Sequence, residues 1–288
     1  MGEPIVSVVI AAHEEEAVIA RCLRSLTAEA KPGELDIVVV ANGCTDRTAQ
    51  IARAERARVI ETPVAGKAHA LVLGDAECRT FPRLYLDADV DLDMTSLRRM
   101  LKAIDRGALA CSPVPEYDLT GVSRVAGRFN RTHDQLLVGR RGLSGAGAYL
   151  LSKEGHGRVF PLPEVISDDG YVHRAFSASE RQSVEGARSV VRPARTVRAV
   201  IRRRARVRLG NRQLDLLGRK AEELPVGMRS LVTLVRRRQV RLMDALWFLV
   251  VVVADKVVAR WRRLRGKDRS WSTDTSTRQR QAAGRVIR

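Results

Sequence analysis

In the segment from Arg83 to Leu92, three carboxylates stand at alternate positions, Asp87, Asp89 and Asp91. The apolar run before them, Leu84, Tyr85 and Leu86, reads as the end of a buried strand. In an extended chain, residues two apart point to the same side. Three like charges there repel one another, and each is costly to desolvate. A hard divalent cation with oxygen ligands would answer both costs. The plainer alternative is an acidic loop that caps the next helix.

Other segments carry groups able to share that site. His13-Glu14-Glu15-Glu16 follows a continuous apolar strand; it is either a ligand-facing acidic loop or ordinary acidic enrichment in a first helical turn. Lys67, in Gly66-Lys67-Ala68, stands at a helix start where the dipole disfavours a cation. A compensating anion such as a diphosphate would explain it, and an exposed lysine is the alternative. Asp168-Asp169-Gly170 is a second acidic pair. Paired carboxylates in a cleft can split their pKa values and leave one as a general base, or they can cap a helix; Asp168 could cap while Asp169 does chemistry. His133, His156 and His173 read first as surface or packing histidines. His173 lies four residues after Asp169 and would share a helix face with it, which keeps it as a metal-ligand candidate.

The surrounding pattern says how these groups could be brought together. Val6–Ala12, residues 36–41, Val59-Ile60 and residues 84–86 read as strands, with residues 14–26, 48–58 and 66–77 as helices between them. Thr45 or Asp46 is the expected N-cap of the second helix. The alternation implies a mostly parallel sheet with helices on both faces. Ligands of such sheets sit at the carboxyl ends of the strands, where residues 11–15, Asn42-Gly43 and residues 87–91 meet. Further on, Met94–Asp105 and residues 171–178 read as helices, and residues 108–114 as a strand. Residues 142–151 form a glycine-rich approach to a ligand, residues 190–200 a strand pair or lead-in, and residues 228–261 one or two long helices. A buried strand at residues 250–253 also fits the valine run.

The chain has 288 residues, of which 45% are hydrophobic, enough for a sizeable core. The net charge of +18 is uneven: residues 192–288 carry 27 basic and 7 acidic side chains, so the remainder is close to neutral. Cys22, Cys44, Cys78 and Cys111 lack metal-ligand or CxxC spacing, which suits a reducing, cytoplasmic setting. Neither a signal peptide nor a transmembrane helix is expected, since the nearest apolar stretch, residues 245–254, has about half the length needed to span.

The order of motifs resembles the family 2 glycosyltransferases of GT-A fold. Ala11-Ala12-His13-Glu14-Glu15-Glu16 is similar to the family's opening Pro-Ala-Tyr-Asn-Glu-Glu. Val39-Val40-Ala41-Asn42-Gly43-Cys44-Thr45-Asp46 is similar to its Val-Val-Asp-Asn-Gly-Ser-Thr-Asp. The segment from Gly66 to Leu71, Leu86-Asp87-Ala88-Asp89 and Asp168-Asp169 complete the series over residues 5–180. Ala11, His13, Glu14 and Ala41 depart from the pattern, and Ala41 replaces the aspartate that often touches the nucleobase. The processive synthases' Gln-x-x-Arg-Trp is absent, so a non-processive enzyme is implied.

The resemblance implies a Rossmann-like, mostly parallel sheet flanked by helices, with a basic helical C-terminal extension. The catalytic domain would span residues 1–190, with the donor site in 5–110 and the acceptor side in 110–190. A basic, mainly helical region would follow over 191–268, then a disordered tail over 269–288. The implied donor is a nucleoside-diphospho-sugar bound by Ala12, Glu15, Asn42, Lys67, Asp87 and Ala88. The implied cofactor is Mg2+ or Mn2+, held by Asp89 with Asp91 behind it, and Asp87 serves the ribose or supports the metal. Asp169, paired with Asp168, would deprotonate the acceptor in an inverting transfer. A nucleotidyltransferase, which also uses a carboxylate-bound metal, and a non-catalytic sugar-nucleotide binder are the alternatives.

In the basic C-terminal third, apolar residues at helical spacing are flanked by arginines and tryptophans. This suits peripheral attachment to an anionic membrane surface and a lipid-linked acceptor, or else packing on the catalytic domain. Nucleic-acid binding is disfavoured, because aromatic residues make up only 4% of the chain and no nucleic-acid motif is present.

Overall fold

The computed structural model describes residues 3–220 and 227–264. β1 (Val6–Ala12), β2 (Leu35–Asn42), β3 (Arg58–Thr62) and β4 (Arg83–Asp87) alternate with α1 (Ile19–Thr27), α2 (Thr48–Ala54) and α3 (Lys67–Ala76). β1 pairs in parallel with both β2 and β4, and β2 in parallel with β3. The chain continues through β5 (Asp91–Leu92), α4 (Met94–Asp105), β6 (Ala110–Tyr117), α5 (Arg124–Leu137) and β7 (Ala148–Leu151). Then come α6 (Lys153–Gly157), α7 (Asp168–His173), β8 (Arg181–Val191), α8 (Val197–Leu216), α9 (Met228–Arg236) and α10 (Leu242–Leu264).

The strand order is β3-β2-β1-β4-β7-β6-β8-β5. β7 runs antiparallel between β4 and β6, β8 lies parallel to β6, and β5 closes the edge antiparallel to β8. The result is a mixed α/β architecture whose mostly parallel sheet is flanked by helices.

β1 lies at the middle of the parallel half and buries both faces, as its unbroken apolar sequence requires. Val6, Val8, Ile10 and Ala12 join the core beneath α1 and α4, while Val9 turns to the other core, with Leu71 of α3 and Tyr85 of β4. That division is the strand period of two. α3 approaches the sheet closely: a Cβ at Gly74 would stand 2.6 Å from Val9 Cγ1 and 3.0 Å from Val40 Cγ2.

Several elements differ from the sequence reading. Residues 13–18 form a loop, with Glu14 at φ 56°, and α1 begins only at Ile19. α2 stops at Ala54; Arg47 precedes it, and the capping oxygen is Asp46 Oδ1, which accepts from the Thr48 N–H at 3.0 Å. α7 begins at Asp168 rather than after it. Residues 190–200 are no strand pair: β8 ends at Val191, and the arginine-rich stretch lies in α8. The valine run belongs to α10, and β7 and α5 were not anticipated. The tail over 269–288 lies outside the described residues.

α5, α8, α9 and α10 pack through clusters centred on Phe129, Val200 and Val251 and on Leu136, Leu231 and Ala245. Asp255, fully buried in α10, receives Arg204 Nε at 2.6 Å and is also paired with Arg208. Among the described residues no helix is long and apolar enough to cross a membrane.

Gly74→Val forces added methyls against Val9 and Val40. We expect it to lower the unfolding free energy by about 1–3 kcal/mol, read as a shifted midpoint in urea with an unchanged slope.

Candidate active site

Three loops meet at the carboxyl ends of β1, β2 and β4. Asn42, the last residue of β2 and 1% exposed, ties the end of β1 to the connection that follows β3. Its Nδ2 donates to the Ala12 carbonyl at 2.8 Å, and its Oδ1 accepts from the Gly66 N–H at 3.0 Å. Asn42 thus positions the start of α3 against the end of β1.

The acidic run after β1 serves the neighbouring turn. Glu14 Oε1 accepts from the Thr45 N–H at 2.5 Å, and the Glu15 N–H donates to Thr48 Oγ1 at 2.8 Å. His13 Nδ1 lies 2.6 Å from the Asn42 carbonyl. Ala12, Glu15 and Ala88 are all buried, Ala12 and Ala88 within the core cluster of β1.

Lys67, the first residue of α3, stands between two carboxylates. Its Nζ lies 2.6 Å from Asp87 Oδ1 and 2.9 Å from Asp168 Oδ1. The anion expected to compensate this helix-start lysine is therefore supplied by the protein itself. Burial disfavours the ammonium, but Asp168, Asp87 and Asp169 outweigh it and push its pKa up. Asp168 is 4% exposed, and Tyr149 Oη donates to its Oδ2 at 3.4 Å. Burial raises the Asp168 pKa, Lys67 opposes the rise, and the Asp169 and Asp87 carboxylates add to it.

Asp169 behaves differently. Its Oδ1 accepts from Ser167 Oγ and the Gly170 N–H, both at 2.7 Å, and its Oδ2 accepts from the Gly145 N–H at 2.9 Å. Burial pulls its pKa up, yet Lys67 and these three donors hold it below the ordinary carboxylate value. The α7 cap is Ser167, whose side chain accepts from the Gly170 N–H. The expected division, with Asp168 capping, is thus corrected: Asp168 faces the lysine, and Asp169 lies across the start of the helix.

Asp87, Asp89 and Asp91 do not share one extended face. β4 ends at Asp87, a turn follows in which the Val90 N–H donates to the Asp87 carbonyl at 3.1 Å, and β5 begins at Asp91. Asp91 is corrected from metal ligand to structural anion: Arg21 Nε meets its Oδ1 and Arg192 Nη2 its Oδ2, each at 2.8 Å. The capping alternative falls to Asp93, which accepts from the Ser96 N–H at 2.6 Å.

His173 packs against the backbone of Gly142 and Leu143; a Cβ at Gly142 would run into its ring, and its Nδ1 accepts from the Leu143 N–H at 3.2 Å. It is a packing histidine rather than a ligand poised in the cleft. His133 stacks on Phe129 and Phe248, and His156 Nε2 meets Asp75 Oδ2 at 2.9 Å, so both are structural as expected.

Among the described residues, no three His, Cys, Asp or Glu side chains form a metal-holding group. Asp89 and Asp87 remain as half-buried carboxylates at the strand end. One or two carboxylates, with substrate phosphates and water completing the shell, is the donor set that Mg2+ accepts. The residues present fit that mode.

Two participants escaped the sequence reading. Ser167 carried a signal, a capping residue ahead of an acidic first turn. Arg206 of α8 carried none beyond its arginine-rich surroundings. Burial and Arg203 lower its pKa, while Asp87, Asp169 and Asp168 favour its charge. α8 is held over the cleft by close packing: a Cβ at Gly210 would stand 3.3 Å from Ser167 Cβ, and one at Gly170 would stand 3.1 Å from Leu214 Cδ1.

The mixed α/β fold, a mostly parallel sheet flanked by helices, matches structural neighbours of GT-A architecture. Residues 7–146, just under half of the chain, match the family model "Glycosyl transferase family 2". Among solved structures, the chain shares its fold with a mannosyltransferase from Pyrobaculum calidifontis in complex with GDP-Man and Mn2+. That match has 18% identity and a TM-score of 0.57, and covers 92% of this chain and 80% of that one.

A mycobacterial protein matches at 21% identity and a TM-score of 0.46, covering 66% of this chain; this chain spans 65% of its length. Glucosyl-3-phosphoglycerate synthase from Mycobacterium tuberculosis, with Mn2+, UDP and glucosyl-3-phosphoglycerate, matches at 22% identity and a TM-score of 0.48, covering 83% of this chain and 81% of that one. No curated protein matches.

Lys67→Met should lower the unfolding free energy at pH 7 by about 3 kcal/mol, because it leaves buried carboxylates facing one another. The Asp168 pKa is raised in the folded state. The folded variant therefore binds more protons than the unfolded chain, and its stability rises as pH falls through that raised pKa. Urea unfolding of the variant at pH 7 and about pH 5 reads both effects.

Proposed function

We propose that this protein transfers a sugar from a nucleoside-diphospho-sugar to an acceptor hydroxyl, with metal assistance and inversion at the anomeric carbon. The observation that carries the reading is Lys67 held between Asp87 and Asp168, beside Asp169, at the carboxyl end of the parallel sheet. That is the edge at which open α/β sheets bind nucleotides.

Asp87 and Asp89 are the residues that would hold Mg2+ or Mn2+. When bound, the ion neutralises charge that develops on the departing diphosphate. Lys67 adds a fixed positive charge to the same region and screens Asp87 from Asp168. Ala12, Glu15, Asn42 and Ala88 enclose the nucleoside side, with Asn42 acting through the loops it fastens. The relative solved with GDP-Man and Mn2+ supports a donor and an ion of these kinds.

Asp169 is the proposed general base. Its depressed pKa keeps it ionised at neutral pH, and a carboxylate has about four acceptor positions, of which three are taken. The fourth can accept the proton of the acceptor hydroxyl as that oxygen attacks. Inversion then follows from a single in-line displacement through an oxocarbenium-like transition state. Asp168 has no free role in proton transfer; it anchors Lys67.

The test is a panel of nucleotide-sugars assayed for thermal stabilisation and for divalent-ion-dependent release of nucleoside diphosphate. One or more donors should respond, and the response should disappear with EDTA. Asp89→Ala and Asp169→Asn should each reduce turnover at least about 100-fold, with Asp169→Asn retaining donor-induced stabilisation. Near-normal turnover in Asp169→Asn would overturn the base assignment, and a silent panel would overturn the donor reading.

A further inference from the structure

α10 divides its faces in an unusual way. The inward face seats Ala245, Phe248, Val251 and Ala259 against α5, α8 and α9 and encloses the Asp255 ion pairs. The outward face carries Leu242, Leu246, Val250, Val253, Val257 and Trp261, each between 47% and 63% exposed. Their spacings of four, four, three, four and four residues draw one row down the helix. At 1.5 Å per residue the row runs for roughly 28 Å. Lys256 and Arg260, both exposed, border it. A contiguous apolar strip of this size marks an interaction surface.

A basic cavity opens where the row begins. About 650 Å³ in volume, it is lined by Arg128 and Arg131 of α5 and by Arg241, Leu242, Met243 and Asp244 at the start of α10. A smaller groove continues along α5 past Arg124. Asp244 answers Arg128 at 3.3 Å. Among the described residues no carboxylate pairs with Arg131 or Arg241. The cavity thus sets guanidinium groups beside exposed Leu242 and Met243, the first apolar residues of the helix.

We propose that this surface docks on an anionic phospholipid bilayer: a lipid phosphate occupies the cavity formed by Arg128, Arg131 and Arg241, and the outward face of α10 lies in the acyl boundary. Charge complementarity selects this occupant. A phosphate directly attached to hydrocarbon matches a cationic cavity continuous with an apolar row. A second copy of the chain would instead bring another set of the same cations against the cavity and against Lys256 and Arg260. The exposed cations add attraction to anionic headgroups, and Trp261 is the aromatic type found at that depth. The proposal is independent of the transfer reaction.

The experiment is sedimentation of the full chain with vesicles of phosphatidylcholine alone or mixed with phosphatidylglycerol. The protein should pellet with the mixed vesicles and remain largely in solution with the neutral ones. Val253→Glu with Val257→Glu should weaken partitioning at least about tenfold, and so should Arg131→Glu with Arg241→Glu. All four positions are exposed, so the thermal melts of both variants should stay near that of the parent, and donor-induced stabilisation should persist. Failure of the parent to bind mixed vesicles, or parent-like binding by both variants, would overturn the proposal. A micromolar dimer dissociated by the Val253/Val257 pair would overturn it too, by assigning the face to a second copy.

Discussion

The cleft depends on one ammonium group. Lys67 Nζ lies within 3 Å of carboxylates from two other elements, Asp87 at the end of β4 and Asp168 at the start of α7. Half-buried Asp87 and buried Asp168 could not easily stay ionised together without the cation between them. The lysine is in turn held by Asn42, which fixes Gly66 and hence the first turn of α3. Acidic groups from distant parts of the sequence can therefore share a site while remaining charged.

The same electrostatic requirement is met in other ways nearby. Asp91 is neutralised by Arg21 and Arg192, which ties α1 and the segment after β8 to the short β5 strand. Asp169 is stabilised by hydrogen-bond donors, two of them backbone N–H groups. These solutions have different consequences. A carboxylate paired with two guanidinium groups has its charge balanced locally, which leaves little attraction for a further cation. One stabilised by backbone donors keeps a lone pair and can still take a proton.

The C-terminal arginines divide along similar lines. Arg204 and Arg208 turn inward to the buried Asp255 and join α8 to α10. Arg206 is half-buried, and the cleft carboxylates Asp87, Asp169 and Asp168 favour its charge. Arg241 remains at the surface beside the α5 arginines. The excess charge of this region is thus three separate features: a core ion-pair cluster, an electropositive edge to the cleft, and an outer basic surface. Net charge alone cannot distinguish them, because residues one or two positions apart on a helix face different sides.

Local information was enough for the parallel half of the sheet. Unbroken apolar runs in β1, β2 and β4, with helical periodicity between them, specify the strands, their topology and the edge where a ligand binds, since hydrophobic period and crossover handedness are properties of short segments. The resemblance of the Asp87–Asp89 and Asp168-Asp169 motifs to a known family was equally visible. Tertiary structure decided what each charged group does. Alternation along the chain suggested that Asp87, Asp89 and Asp91 act together, but a turn separates them and two arginines distant in sequence claim Asp91. The reason is physical: a charge's role depends on the partner that balances it within a few ångströms, and for Lys67, Asp91 and Asp169 that partner is supplied by segments the chain brings together only on folding.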